Sequence, residues 1–300
     1  MHPEILSSRR RFAVPTGDGW IRGSTVGSAR PGAAPLLLLH GGPGVPSDYL
    51  EPLAGLADER LVILYDQIGC GLSEPARDDS AWQLDRFVHR LELVRQHLGV
   101  TGFHVLGHAW GGMLALAYAD RYPERVRSLL MASPLVDAEA WSEDAASLVA
   151  ALPPRHREAL RAGPRHPGFA TARAEYTRRH YCRSIPRPEP LKRAMTHRGD
   201  ASQRVMWGAS DFAPTGTLRG VSCTDAVRRL DMPSLWLGGG DDEVRPTTLK
   251  RFASMAPKSS LAVFPGGTHM VHLEQVAQYR AVLRKYLRMV EPRKARKARA

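Results

Sequence analysis

Phe103-His104-Val105-Leu106-Gly107-His108-Ala109-Trp110-Gly111-Gly112 decides how this chain folds. An apolar run of strand character meets a sharp turn, and a helix is expected from near Trp110 through Met113 to Tyr118. Small residues two before and two after position 109 match the frame G-x-S-x-G, in which a strained strand-to-helix turn lifts one side chain above a sheet. The glycines are required because the turn brings backbones too close for side chains. A phosphate-binding loop is the other glycine-rich candidate, but the stretch lacks both the lysine and the G-x-G-x-x-G spacing. The lifted residue is Ala109, where serine is expected.

Outward from this turn the same grammar repeats. Leu36 to Leu39, behind Pro35, is a short continuous apolar run, as in a strand buried on both faces, and it ends in His40-Gly41-Gly42-Pro43-Gly44. Leu61 to Tyr65 is a second such strand, ending in Asp66-Gln67. A helix carrying Phe87, Val88, Leu91, Val94 and Leu98 follows and closes at Gly99. Val126 to Ala132 reads as the next strand, and Arg11 to Ser28 as a short hairpin. The alternation stops near Pro134 and resumes with strand Ser234 to Leu237, a helix from Pro246, strand Leu261 to Phe264 and one helix from His272 to Met289. The expected fold is α/β: a mostly parallel sheet with helices on both faces, and a helical cap inserted after the sixth strand. The expected boundaries are core 1–134, cap 135–227, core 228–290 and a basic tail 291–300. Ligands of open parallel sheets sit outside the strands' carboxyl ends, where such a cap would close over them.

Three strand ends carry polar residues in the order turn, acid, histidine. After Leu237 come Asp241, Asp242 and Glu243; after Phe264 comes His269. Asp242 alone reads as a helix cap and His269 alone as a loop histidine. In this order on successive strand ends they match the nucleophile–acid–histidine sequence of α/β-hydrolases. Histidine supplies a base that titrates near neutrality, and the carboxylate holds its tautomer. The glycine loop supplies backbone donors for a developing oxyanion, assigned to the Gly42 and Trp110 N–H groups. His40 is expected to organise that loop without transferring protons.

Bulk composition narrows the alternatives. A chain of 300 residues, 43% hydrophobic, can bury a large core. No signal peptide is read in Met1 to Arg11, and no apolar run approaches membrane-spanning length, so a cytoplasmic protein without membrane contact is expected. Three widely spaced cysteines suggest neither disulfides nor a zinc site. The formal charge of +12 is spread along the chain, and Arg293, Lys294, Arg296, Lys297 and Arg299 concentrate part of it in a tail read as solvated. No nucleic-acid partner, metal or cofactor is expected.

The residues His40-Gly41-Gly42-Pro43-Gly44, Asp66-Gln67-x-Gly69-Cys70-Gly71-x-Ser73, Gly107-x-x-Trp110-Gly111-Gly112, Asp242-Glu243-Val244-x-Pro246 and His269-Met270-x-His272-Leu273-Glu274 together resemble the proline iminopeptidase and tricorn-interacting aminopeptidase family. Trp207 to Phe212, followed by Thr215 to Leu218, is similar to part of that family's cap. The resemblance implies a serine aminopeptidase acting on an N-terminal aminoacyl amide bond of a peptide or small molecule. It further implies that Glu243 and Asp211 bind the substrate's free α-ammonium by charge-assisted bonds. Asp211 stands where the family usually has glutamate, and Ile68 where it usually has arginine. Ala109 cannot attack a carbonyl, so the sequence describes an inactive serine-to-alanine form, by replacement or by natural loss. An esterase or lactonase on the same fold, and a non-hydrolytic ligand-binding relative, are the alternative readings.

Overall fold

The computed structural model describes residues 8–210 and 212–291. Eight strands form one sheet in the order β1-β2-β4-β3-β5-β6-β7-β8. They are β1 (Arg10–Thr16), β2 (Gly19–Val26), β3 (Leu36–Leu39), β4 (Val62–Asp66), β5 (Phe103–His108), β6 (Val126–Ala132), β7 (Ser234–Gly239) and β8 (Ser259–Phe264). β2 runs antiparallel to both β1 and β4, and every other pairing is parallel.

The four-leucine run explains the layering. β3 lies between β4 and β5 with all four leucines fully buried. Because side chains alternate along a strand, Leu37 and Leu39 enter one core while Leu36 and Leu38 enter the other. The first core takes Phe87, Leu91, Trp110, Leu114 and Phe252 from helices Leu84–His97, Trp110–Arg121 and Pro246–Met255. The second takes Tyr49, Leu53, Leu283 and Leu287 from Ser47–Asp58 and helix Val276–Val290. Each fully buried leucine contributes about 1.5–3 kcal/mol, so this run alone commits β3 to the middle of the sheet. β2, beside the edge strand β1, and the edge strand β8 alternate in burial, as one-sided strands do.

Two elements depart from the expected pattern. The stretch between β3 and β4, where no element is expected from the sequence, forms a 3-10 helix, Ser47–Asp58, with Pro52 inside it. The single helix expected from His272 to Met289 is broken at Gln275 (φ −126°, ψ 48°). At the break, Gln275 Nε2 donates to the Pro265 carbonyl at 2.9 Å.

The insertion after β6 carries helices Ala138–Ala150, Pro154–Ala162, Phe169–Tyr176 and Glu189–Thr196. Its stem is tied where the chain leaves and returns: Ala138 N donates to Val221 O at 3.0 Å and Cys223 N to Val136 O at 2.9 Å. The insertion is also stitched to the strand-end loops. His269 N donates to His180 O (2.8 Å), Met270 N to Tyr181 O (2.9 Å) and Gly199 N to Gly44 O (2.8 Å). Among the described residues no helix is long and apolar enough to cross a membrane.

Candidate active site

The turn after β5 has the geometry its glycines foretell. Ala109 adopts φ 51°, ψ −120°, a conformation that costs a non-glycine residue on the order of 1–3 kcal/mol. A Cβ at Gly107 would lie 2.3 Å from Gly111 O, and one at Gly111 would lie 2.3 Å from Leu39 O. Neither position admits a side chain. The turn is held by Ala109 N donating to Ala132 O (3.1 Å) and by Leu135 N and Gly112 N donating to Ala109 O (2.9 and 2.8 Å). Ala109 therefore stands at the floor of a cavity of about 240 Å³ that also borders Gly42, Trp110, Glu243 and His269.

His269 and Asp242 meet in that cavity. His269 Nδ1 lies 2.8 Å from Asp242 Oδ1, and both are buried. The carboxylate also accepts from Ser133 Oγ (2.5 Å), Gly239 N (3.0 Å) and Val244 N (3.1 Å). With its lone pairs engaged, Asp242 fixes the proton on His269 Nδ1 and leaves Nε2 as the basic atom. Burial pushes the imidazole's pKa down, but the charge and hydrogen bond of Asp242, followed by Glu243 and Glu274, more than reverse this, so it ends above the ordinary value. Its ring is stacked on Tyr181 at 5.8 Å, meets Trp141 in a T-shaped contact at 5.7 Å and lies against the tilted ring of His108 at 4.6 Å.

Gly42 has φ 113°, open to glycine and unfavourable to other residues. Trp110 opens the helix after the turn, so its N–H has no intrahelical acceptor. Both border the cavity beside Ala109. His40 lies behind them: its Nε2 accepts from Gln67 N (2.9 Å), and Nδ1–H donates to Gly41 O (3.1 Å). That pattern needs a neutral ring, which burial favours by pushing the pKa down. Gln67 completes the brace, donating to His40 O and accepting from Trp110 Nε1, each at 2.9 Å.

Glu243 follows Asp242 and turns into the same cavity, with Oε2 4.0 Å from His269 Nε2. Burial, only partly countered by His269 and reinforced by Asp242, pushes its carboxyl up to about 7. Asp211 lies outside the described residues, although its neighbours Ser210 and Phe212 border the cavity. Ile68 is buried in the apolar core, so packing occupies the place where the resemblance expects a charge. Among the described residues no cluster of three or more histidine, cysteine or acidic side chains is arranged to hold a metal.

Several site residues are not evident from motif reading. Ser133 is left-handed (φ 43°) and aims its hydroxyl at Asp242; a polar residue ending a buried strand is its only signal. Tyr49 accepts from Gly41 N (2.7 Å) and lies 2.9 Å from His108 Nδ1, while His108 Nε2 lies 3.1 Å from His269 O. The neutral ring then accepts from the tyrosine hydroxyl and donates to the carbonyl. Burial drives His108 well below its ordinary value, and His272 beside it to about 3, with His269 adding to both. Three adjacent histidines thus carry one basic site.

Comparison with known proteins follows the same lines. Residues 34–276 match the family model described as alpha/beta hydrolase fold. The proline iminopeptidase of Heyndrickxia coagulans is 35% identical over 265 residues, covering 86% of this chain and 92% of that protein. The enzyme of the same name from Lactobacillus delbrueckii subsp. lactis is 36% identical, covering 85% and 90%. The crystal structure of proline iminopeptidase from Mycobacterium smegmatis superposes with a TM-score of 0.89 at 35% identity, over 94% of this chain and 98% of that one. The chain belongs to the α/β-hydrolase fold family and, within it, to the proline iminopeptidases.

Proposed function

We propose that this site binds an N-terminal aminoacyl amide by its free α-ammonium, and that it hydrolyses the amide bond when position 109 carries serine. Alanine at that position makes the present chain a binding-competent, hydrolytically silent form. The observation that supports this most directly is Glu243, a carboxyl largely shielded from solvent that borders the cavity beside His269. A neutral ester has no use for a buried acid there, and burying one without a partner is costly. An ammonium repays that cost by a charge-assisted bond. Asp211 is the second acid in this reading.

The chemistry follows from the arrangement. A serine oxygen at position 109 attacks the carbonyl carbon while His269 Nε2 takes its proton. The oxyanion is received by the Gly42 and Trp110 N–H groups. Collapse breaks the C–N bond as the imidazolium returns the proton to the leaving amine, and water then releases the acyl group by the reverse sequence. Loss of the serine removes the attacking atom, and with it a factor of ~10⁶ in turnover. A peptide or small aminoacyl amide in the cytoplasm is the substrate class proposed; no nucleic acid or membrane enters the reading.

The test is a hydrolysis assay of the Ala109→Ser protein beside the chain as it stands, on prolyl, alanyl and glycyl amides with free and acetylated amines. Turnover of free-amine substrates by the serine form alone is expected. Equal turnover of amine-free esters would favour an esterase, and silence from both forms would leave a binding cavity without hydrolysis.

A further inference from the structure

Resting on that reading of the amino end, we propose that the outer end of the cavity is a carboxylate subsite: Arg187 and Arg198 receive the free C-terminus of a short peptide whose first residue sits at Glu243. Both arginines border the cavity that holds Ala109 and His269, yet both are exposed, which places them at its mouth. They flank helix Glu189–Thr196 of the insertion. The electrostatic field of each reaches Tyr181, whose ring stacks on His269.

The two guanidiniums are held on constrained backbone. Arg198 lies between His197, whose carbonyl accepts from Gly71 N at 2.9 Å, and Gly199, whose N–H donates to Gly44 O at 2.8 Å. The segment bearing it is therefore tied to the loop that supplies Gly42. Arg187 stands between Pro186 and Pro188, whose rings fix their own φ angles and restrict the residue before each. Among the described residues Arg187 has no acidic partner, and Arg198 meets only the exposed Asp200 at 3.2 Å. Glu243 is the only described carboxylate bordering the cavity, and its side chain is 16% exposed where both arginines are open to water.

The cavity thus has a shielded acid beside His269 and two solvent-exposed guanidiniums. A peptide carries an ammonium and a carboxylate in the same polarity, and the guanidinium fork matches a carboxylate's two oxygens. The scissile bond then lies between them, over Ala109. An amide or ester with no anion on its leaving side forgoes the outer contact. Because the mouth is open to water, the contact is screened, and its effect is a few-fold in affinity, at most about ten-fold.

The alanine at position 109 lets this be measured without turnover. Calorimetric titration of the chain as it stands would use the tripeptide Pro-Ala-Ala, its C-terminal amide, and the N-acetylated form of each. The free acid is expected to bind about three- to ten-fold more tightly than the amide. That preference should shrink in 0.5 M salt and vanish in the Arg187→Gln/Arg198→Gln protein, whose affinity for the amide stays unchanged. Equal affinity for acid and amide, with acetylation abolishing both, would overturn the carboxylate subsite and leave the amino-end reading intact. A preference that survives in the double variant would also overturn it. Indifference to acetylation would remove the amino-end reading, and the present inference with it.

Discussion

His108 Nε2 lies 3.1 Å from the carbonyl oxygen of His269, and its other ring nitrogen meets the Tyr49 hydroxyl, which in turn holds Gly41 N–H. One continuous hydrogen-bonded path therefore joins the oxyanion loop, the residue before the nucleophile position and the backbone carbonyl of the catalytic histidine. All of its side chains are buried.

Tyr49→Phe tests that path. The substitution leaves Gly41 N–H and His108 Nδ1 without their partner in a dry interior, where an unmet polar group costs about 1–3 kcal/mol. Denaturant unfolding should show a loss of that size. In the Ala109→Ser background kcat should fall more than KM rises, because the disturbed group is the oxyanion loop and not the ammonium site. Unchanged stability and turnover would mean that the path is incidental.

Asp242→Asn in the Ala109→Ser protein isolates the role of the carboxylate. Asparagine can donate to His269 Nδ1 and so favour the wrong tautomer, leaving Nε2 protonated and unable to accept the nucleophile's proton. A fall in kcat of ~10⁴-fold is expected, with the fold intact by circular dichroism. A fall of less than ten-fold would remove Asp242 from the mechanism.

The parts legible in the sequence are those whose reason is local. Gly107 and Gly111 must be glycine because backbone passes within 2.3 Å of where a Cβ would stand. Leu36 to Leu39 must be central because no residue in the run tolerates water. Strand ends then place Asp242 and His269 without further information. What escaped is set by tertiary contact: Tyr49 reaches His108 across 59 residues and Ser133 reaches Asp242 across 109, and neither lies in a motif. No element is expected from the sequence at Ser47–Asp58, where Pro52 inside the segment weakens the helical signal. The arginines at the cavity mouth look like ordinary surface charge until the insertion folds over the sheet.

Glu243 gives opposite signs for binding and stability. Its carboxyl titrates near 7 in the fold against an ordinary 4.5. The folded state therefore holds this proton more tightly, and the stability this confers is full below 4.5 and is lost as the pH rises through 7. Glu243→Gln removes that loss, so the variant should unfold at a higher temperature than the parent at pH 8, by an amount corresponding to roughly 1–3 kcal/mol. At pH 4.5 the two should coincide. Affinity for Pro-Ala-Ala should run the other way: in the parent it should fall about ten-fold per pH unit just below 7, as the ammonium displaces the proton. In the variant it should be weak and flat. Stability curves that stay parallel at both pH values would contradict the buried carboxyl.

At the far end of the sheet, Glu291 Oε1 pairs with Arg60 at 2.5 Å, accepts from Ala34 N at 3.2 Å and lies 3.4 Å from His104 Nε2. Arg60 is 1% exposed, and its guanidinium also donates to Ala34 O. Burial alone would raise the glutamate's pKa, but His104 and Arg60 together bring it below the ordinary value. The stability it contributes is accordingly present above 4.5 and lost as the pH falls through its lower folded value. Glu291→Ala strands a buried guanidinium, which costs about 3–5 kcal/mol when one partner of a buried pair is removed. Denaturant unfolding at pH 7 should show a loss near the lower figure, since Arg60 keeps its carbonyl acceptor, and a smaller loss at pH 3. The double variant Arg60→Met/Glu291→Leu should recover most of it, because two apolar groups leave no charge without a partner. Ligand binding in the distant cavity should be untouched in both, and a change there would tie this cluster to the site instead of to the fold.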